Sequence, residues 1–181
     1  MVEIDHRWAS RFKFGDDAYL SNDKQTEKRL GRFDSPEQEV YLNLWRTYDR
    51  LRMLEDSLFA EFGLNCQQYN VLRLLKAAAP NPVATLELAG RLVSRAPDIT
   101  RMVDKLESQG WITRSRPDDN RRQVLVAITT EGIDILQRLA EPLRQCHHKQ
   151  LGHLCAEQKR LLCELLKSAR QPHESEQSPW R

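Results

Sequence analysis

The pattern of apolar and polar positions predicts a chain of helices interrupted by a single pair of strands. The first periodic stretch begins after Ser35, which can cap a helix in a box with Gln38, and it ends at Gly63. At 3.6 residues per turn, this helix spans about seven turns. Because so long a helix needs a partner along much of its length, we expect it to be a dimerisation element. A second helix is predicted to start at the cap Asn65, with Gln68 completing another capping box.

A helix-turn-helix pattern follows the Pro-Asn-Pro linker at residues 80–82. The first of its helices is expected to turn three residues inward, which are Leu86, Ala89 and Leu92. Gly90 is expected where the two helices cross. The second helix is expected to begin at the cap Ser94 and to end at Gly110. Its apolar residues recur at helical spacing and form one stripe, which comprises Ile99, Met102, Val103 and Leu106.

Two strands and two further helices complete the predicted order. Residues 111–116 and 123–129 have strand character and flank a turn-rich segment, so they predict a β-hairpin. Thr129 can cap the next helix, which Pro142 can bend, and a last helix covers residues 156–169. The expected fold is mainly α with a small β-hairpin. In it, a winged helix-turn-helix lobe is flanked by N- and C-terminal dimerisation helices.

These elements divide the chain into four parts. Residues 1–34 form a polar N-terminal arm, either flexible or wrapped around a partner subunit, that we expect to be partly ordered. Residues 35–63 and 130–170 are predicted to form a helical dimerisation region. Residues 64–129 are predicted to form the winged helix-turn-helix region that binds DNA. Residues 171–181 form a polar tail that is expected to be disordered.

Charge and composition narrow the class of protein. The net charge is only +2, but residues 85–129 hold eight basic and six acidic residues and therefore carry all of it. A positive excess in this region suits contact with nucleic-acid phosphates, and a dimer would double it. No apolar run approaches the roughly 18 residues of a membrane span, and the N-terminus lacks the apolar segment of a secretory signal. A cytoplasmic location without a membrane partner is expected.

The polar side of the second motif helix predicts contact with double-stranded DNA. Major-groove contacts are expected from Pro97, Thr100 and Arg101, and contacts on or near phosphates from Arg95 and Lys105. The two hairpin arginines that extend this surface are Arg121 and Arg122.

Asp98 is the acidic member of the same surface, and three roles are open to it. It can accept a hydrogen bond from cytosine, favour the helix N-terminus through the dipole, or hold Arg101 or Arg95. We prefer the two structural roles, because an acid near phosphates usually restrains another group.

Several of these segments resemble the MarR (multiple antibiotic resistance regulator) family. Residues 116–132 resemble its wing and the start of the next helix, residues 100–107 its recognition helix, and residues 64–72 the helix that opens its DNA-binding lobe. The similarity covers about residues 35–169. It implies a homodimer with interlocked terminal helices on a palindromic operator, with each recognition helix in the major groove and each wing tip in the minor groove. It also favours a ligand-responsive repressor.

The family's D-x-R wing motif can be placed in two registers on this chain. Counting back from residues 128–129 puts its arginine at Arg122 and Asn120 in the place of the acid. A literal match is Asp119-Asn120-Arg121, one residue earlier. In either register, one arginine would enter the minor groove and the other would lie near phosphates.

Two sharper chemical hypotheses compete with this one. Cys66 lies in the first turn of a helix, where the dipole lowers a thiol pKa, so redox sensing stands beside the preferred structural thiol. The cluster Cys146, His147 and His148 suggests zinc, although a solvated helix end is the preferred interpretation.

Two further features of the sequence constrain the class of activity. They are the catalytic motifs that it lacks and the polar composition of the exposed side of the second motif helix. No phosphate-binding glycine loop, nucleophile elbow or H-E-x-x-H motif occurs, so we expect neither an enzyme nor a cofactor. A winged-helix module that binds protein would need an apolar recognition face, and Thr100, Arg101 and Lys105 argue against one.

A small-molecule effector could enter between the dimer helices and the winged lobes. Trp45, Tyr48 and Tyr69 are candidates for the aromatic walls of such a pocket, although residues of this kind are more often core.

Overall fold

The computed structural model describes residues 33–93, 98–117, 120, 122–176 and 178. The predicted N-terminal arm therefore lies, up to residue 32, outside the described residues. The elements in chain order are α1 (Pro36–Glu61), α2 (Cys66–Ala78), β1 (Val83–Ala84), α3 (Thr85–Arg91), α4 (Ile99–Ser108), β2 (Ile112–Ser115), β3 (Leu125–Ile128), α5 (Thr130–Leu151) and α6 (Ala156–Arg170). A mainly α fold with a small antiparallel sheet is confirmed.

Local capping signals correctly predicted several helix boundaries. The Asn65 side chain accepts a hydrogen bond from the Gln68 amide at 2.9 Å, and the Gln68 side chain accepts one from the Asn65 amide at 3.0 Å. Thr129 Oγ1 likewise accepts from the Gly132 amide at 3.0 Å and caps α5. Gly63 ends the first helix with a φ of +69°, a left-handed conformation that glycine adopts without steric cost.

The start of α1 differs in one detail from the predicted capping box. Ser35 Oγ accepts a hydrogen bond from the Gln38 amide at 3.2 Å, as expected of a cap. The Gln38 side chain, however, turns to Asp34, whose amide donates to Gln38 Oε1 at 2.8 Å. Gln38 Nε2 also donates to Asp34 Oδ2 at 2.7 Å. The Gln38 side chain therefore bonds to Asp34, rather than to the backbone amide of Ser35 as the predicted capping box requires.

The chain divides into two compact units, one up to Asp49 and one from Arg50 onward. The second unit contains the buried core. Its largest fully buried side chains are Phe59, Leu72, Leu75, Leu88, Leu106, Ile112 and Leu139. Within the second unit, Gln150 of α5 is buried and its Nε2 donates to the backbone oxygen of Leu51 at 2.8 Å, which ties α5 to the C-terminal half of α1.

The sheet has three strands in the order β1-β3-β2, all antiparallel. Ile112 faces Ile128 in the predicted hairpin, and Val83 pairs with Val126 on the other edge of β3. The strand β1 was not predicted, because its two residues become a strand only through a partner more than 40 positions later in the chain. Thr85 strengthens this edge, since both its amide and its hydroxyl donate to the backbone oxygen of Val124.

The predicted inward face of α3 is wrong at Leu86, although Leu92 is buried as predicted and Ala89 is partly buried. Leu88 is fully buried and Leu92 nearly so, whereas Leu86 is 87% exposed. At about 100° per residue, Leu86 lies almost opposite Leu88 on the helix, so the two cannot share a face. Gly90 is also misassigned, because an added Cβ there would meet open space rather than a crossing helix.

The C-terminal part of the described chain is more ordered than predicted. Residues Gln171–His173 form a turn of 3-10 helix directly after α6, where a disordered tail was expected. Arg170 Nε lies 3.2 Å from Glu174 Oε1 across this turn. Among the helices of the described residues, none combines the length and the apolar character that crossing a membrane requires.

Candidate nucleic-acid interface

The helix α4 begins at Asp98, which acts as its N-cap. Asp98 Oδ1 accepts a hydrogen bond from the Arg101 amide at 2.9 Å, and Oδ2 lies 3.8 Å from Arg101 Nε. The predicted cap, Ser94, lies outside the described residues, and Asp98 is the cap because the helix starts at Ile99 and a cap directly precedes the first turn. Both structural roles considered for Asp98 agree with this geometry.

The two sides of α4 differ in burial as the sequence pattern predicts. Met102, Val103 and Leu106 are buried and Ile99 packs against the core, so the predicted apolar stripe is confirmed. The opposite side consists of exposed polar residues, namely Thr100, Arg101, Asp104, Lys105 and Ser108. With about 100° between successive residues, Asp104 projects between Thr100 and Arg101. A carboxylate therefore lies in the middle of the predicted DNA-contacting surface.

Arg114 of β2 pairs with two acids of α4. Its Nη1 lies 2.5 Å from Asp104 Oδ1, and its Nε donates to Glu107 Oε2 at 2.8 Å, while Nη2 also donates to Glu107. These hydrogen bonds raise the pKa of Arg114, and the bond from Arg114 lowers the pKa of Glu107. Sequence reasoning placed Arg114 only in a strand. The available signal was the pair of acids at i and i+3 on a helix followed by a strand arginine.

The wing is described in part. Arg122 and Asn120 are both exposed, and a turn is closed by the Gln123 amide, which donates to the Asn120 oxygen at 3.0 Å. The predicted contact residues Arg95, Pro97 and Arg121 lie outside the described residues, as does Asp119. The choice between the two registers of the wing motif therefore stays a prediction.

A groove of about 690 Å³ runs between α3, α4 and the wing. Thr100 and Arg122, two of the predicted DNA contacts, both line it. Leu86, the exposed residue of α3, forms part of its wall, and Arg114 also reaches it. The structure thus brings Thr100 of α4 and the wing arginine Arg122 to one groove, whose lining also includes the apolar residues Val103 and Val124.

The three aromatic residues proposed as pocket walls have different surroundings. Tyr69 packs against Phe59 with ring centroids 5.0 Å apart, and burial raises the pKa of its hydroxyl. Trp45 and Tyr48 belong to the first unit and are each 61% exposed, so neither is a core residue of this chain. In that unit, Trp45 lines a groove of about 850 Å³ together with Phe33, Glu39, Leu42, Asn43, Arg46 and Asp49.

The surroundings of Cys66 oppose the thiolate that redox sensing requires. Burial raises the pKa of the Cys66 thiol, and the carboxylates of Glu55 and Asp56 raise it further. The expected lowering by the helix N-terminus is therefore wrong, because desolvation and neighbouring negative charge outweigh it. Burial also raises the pKa of Cys146, and His147 Nε2 lies 3.2 Å from Glu55 Oε1. Within the described residues, no three His, Cys, Asp or Glu side chains are arranged to hold a metal ion.

Comparison with known proteins identifies this arrangement. The MarR family model matches residues 64–124, which run from the start of the DNA-binding lobe into the wing. The crystal structure of a MarR transcription factor from Planctomyces limnophilus is 50% identical, with a TM-score of 0.61, and the match covers 75% of this chain and 98% of that one. The chain belongs to the MarR family.

Two Escherichia coli proteins extend the comparison with this MarR-family chain. The transcriptional repressor MprA of strain K12 is 27% identical over 128 residues, which are 70% of this chain and 73% of MprA. A cysteine-to-serine mutant of MarR, solved in complex with operator DNA, is 25% identical with a TM-score of 0.63, over 82% of this chain and 99% of that one. The protein is thus a DNA-binding transcription regulator of the MarR family and not an enzyme.

Proposed function

We propose that the protein is a repressor that binds a palindromic operator as a homodimer and responds to a small-molecule effector. The observation that carries the proposal is the exposed polar side of α4, whose residue Thr100 lines a groove together with the wing arginine Arg122. Two relatives support it, since one is a transcriptional repressor and another was solved with operator DNA. A cytoplasmic location belongs to the same proposal.

In this proposal, α4 lies in the major groove and the wing reaches the minor groove. Thr100 and Arg101 contact base edges, and Lys105 contacts phosphates. Arg122 extends from the wing, and the sequence adds three further contacts, which are Arg95, Pro97 and Arg121. Asp98 takes part by capping α4 and by restraining Arg101, rather than by reading a base.

Dimerisation is supported by apolar side chains that the single chain leaves exposed. In the first unit, the exposed large apolar residues of α1 are Val40, Tyr41, Leu42, Leu44, Trp45 and Tyr48. On α6, they are Leu162, Leu165 and Leu166. Burying such surface is worth roughly 25 cal/mol per Å², which favours a partner that covers it. We therefore assign residues 35–63 and 130–170 to dimerisation and residues 64–129 to DNA binding.

The effector site of this proposal is lined by aromatic side chains. Trp45, Tyr48 and Tyr69 can each offer an aromatic wall to an apolar or aromatic ligand.

Selection of bound sequences from random double-stranded DNA, with the mass of the free protein measured alongside, tests this function. We expect a dimer and an inverted repeat whose half-sites are centred about 10 base pairs apart, or a multiple of that spacing. A monomer that selects no palindrome would contradict the proposal and favour a winged-helix module that binds protein.

A further inference from the structure

We propose that Arg114 is a positioning residue that pairs with both Asp104 and Glu107 and offsets one of their two negative charges on the DNA-contacting side of α4. The inference rests on the proposed function, in which this side of α4 faces the operator. It adds a residue from outside the helix-turn-helix to those that set the affinity for DNA.

The need for neutralisation follows from the position of Asp104. Its side chain is 53% exposed and projects between Thr100 and Arg101, the two residues expected to contact bases. Double-stranded DNA carries one negative charge for about every 1.7 Å of its axis, so an unpaired carboxylate at this place repels it. Glu107 lies one turn further along α4 and adds a second negative charge.

Arg114 is placed to pair with both acids at once, so that its single positive charge is shared between them. Its planar guanidinium presents several donors in a fixed fork, so one side chain reaches Asp104 through Nη1 and Glu107 through Nε and Nη2. The side chains of Arg114, Asp104 and Glu107 are 32%, 53% and 36% exposed, so the three charges lie at the surface, where salt screens them. The same contacts join strand β2 of the wing to α4.

Neutralisation and mechanical bracing make different predictions. Removing Arg114 alone removes the brace and also leaves two unpaired carboxylates. Replacing Arg114, Asp104 and Glu107 together with neutral residues also removes the brace, but it leaves no carboxylate to repel the DNA. Recovery of DNA binding in the triple variant therefore identifies neutralisation, because the triple variant does not restore the brace.

The experiment measures binding to a duplex that carries the palindrome selected by the wild-type protein. We expect Arg114→Gln to weaken binding about tenfold or more, and we expect the defect to shrink as salt screens the repulsion. The triple variant Arg114→Gln, Asp104→Asn, Glu107→Gln should recover most of the affinity. Arg114→Lys, which keeps the positive charge, should bind close to wild type, and urea unfolding of each variant reports whether it is folded.

Wild-type affinity in Arg114→Gln, or a triple variant as weak as Arg114→Gln, would overturn the proposal. Arg101→Ala, measured in the same assay, separates this failure from failure of the proposed function. If Arg101→Ala binds weakly while Arg114→Gln binds normally, the proposed role of Arg114 is refuted and the proposed DNA-binding function is retained. If neither variant binds more weakly than wild type, this side of α4 does not contact the operator and both proposals fall.

Discussion

Asp98 holds Arg101 through the backbone, since its Oδ1 accepts the Arg101 amide at 2.9 Å at the start of α4. Its second carboxylate oxygen lies 3.8 Å from Arg101 Nε. One side chain therefore both caps the helix and restrains an arginine that we expect to contact bases. The acid on a DNA-contacting surface thus has a structural explanation.

Two replacements of Asp98 separate its role as the cap of α4 from the effect of its negative charge. Asp98→Ala should lower the free energy of unfolding by about 1 kcal/mol, because the first turn of α4 loses its side-chain acceptor. Asp98→Asn should lose less, since the amide oxygen can still accept from the Arg101 amide. Urea denaturation of the three proteins measures the difference. Equal stability of Asp98→Ala and wild type would show that the cap contributes nothing.

Replacing Arg122 tests whether the wing contacts the operator. Arg122→Ala should weaken operator binding and make the slope of log K against log salt shallower by about 0.9 for each phosphate that the variant no longer neutralises. Binding titrations over a salt series measure both effects. Arg144→Ala is a matched control, because Arg144 pairs with Glu141 within α5 and its replacement should leave the slope unchanged. An unchanged slope in Arg122→Ala would remove Arg122 from the interface.

Two glycines predict opposite responses to the same substitution. A Cβ at Gly132 would overlap the Trp111 oxygen and lie 2.8 Å from Ile128 Cγ1, so Gly132→Ala should destabilise the fold by roughly 1–3 kcal/mol. Gly90 has open space around the same position, and Gly90→Ala should be neutral or stabilise by up to about 1 kcal/mol. The urea midpoint should therefore fall in Gly132→Ala and stay unchanged or rise in Gly90→Ala. A Gly132→Ala protein as stable as wild type would contradict the close packing of α5 on Trp111.

The pH dependence of stability reports the contact between Arg114 and Glu107. The hydrogen bond from Arg114 holds the pKa of Glu107 below its ordinary value of 4.5. Since the folded pKa is lowered, the contribution is fully present above the unfolded pKa and is lost as pH falls through the folded pKa. The stability difference between wild type and Glu107→Gln should be constant near neutral pH and shrink below about pH 4.5. A difference that stays constant on acidification would show that the contact is not formed in solution.

Sequence reasoning succeeded where the deciding signal is local. The box of Asn65 and Gln68, the cap Thr129 and the terminating Gly63 each act within a few residues, and the structure contains all of them. The buried stripe of α4 was also predictable, because helical spacing alone sorts its apolar residues onto one side.

The predictions that failed concern features that depend on residues far away in the sequence, or on a helix boundary that lies a few residues from the predicted one. Strand β1 exists only because Val126 of β3 pairs with Val83. The orientation of Leu86 depends on where α3 lies on the core, which the sequence does not mark. Arg114 looks like an ordinary strand residue in the sequence, because its role depends on acids from a different element. The expected lowering of the Cys66 pKa by the helix N-terminus is wrong because burial raises that pKa, which agrees with the preferred interpretation of Cys66 as a structural thiol.

The central claim is that the exposed side of α4 reads operator bases. The most direct measurement is selection from random DNA carried out in parallel with wild type and Arg101→Ala. We predict that Arg101→Ala loses preference at one position in each half-site, where a mismatch costs the wild type roughly 1–3 kcal/mol. Identical base preferences in the two proteins would contradict the claim.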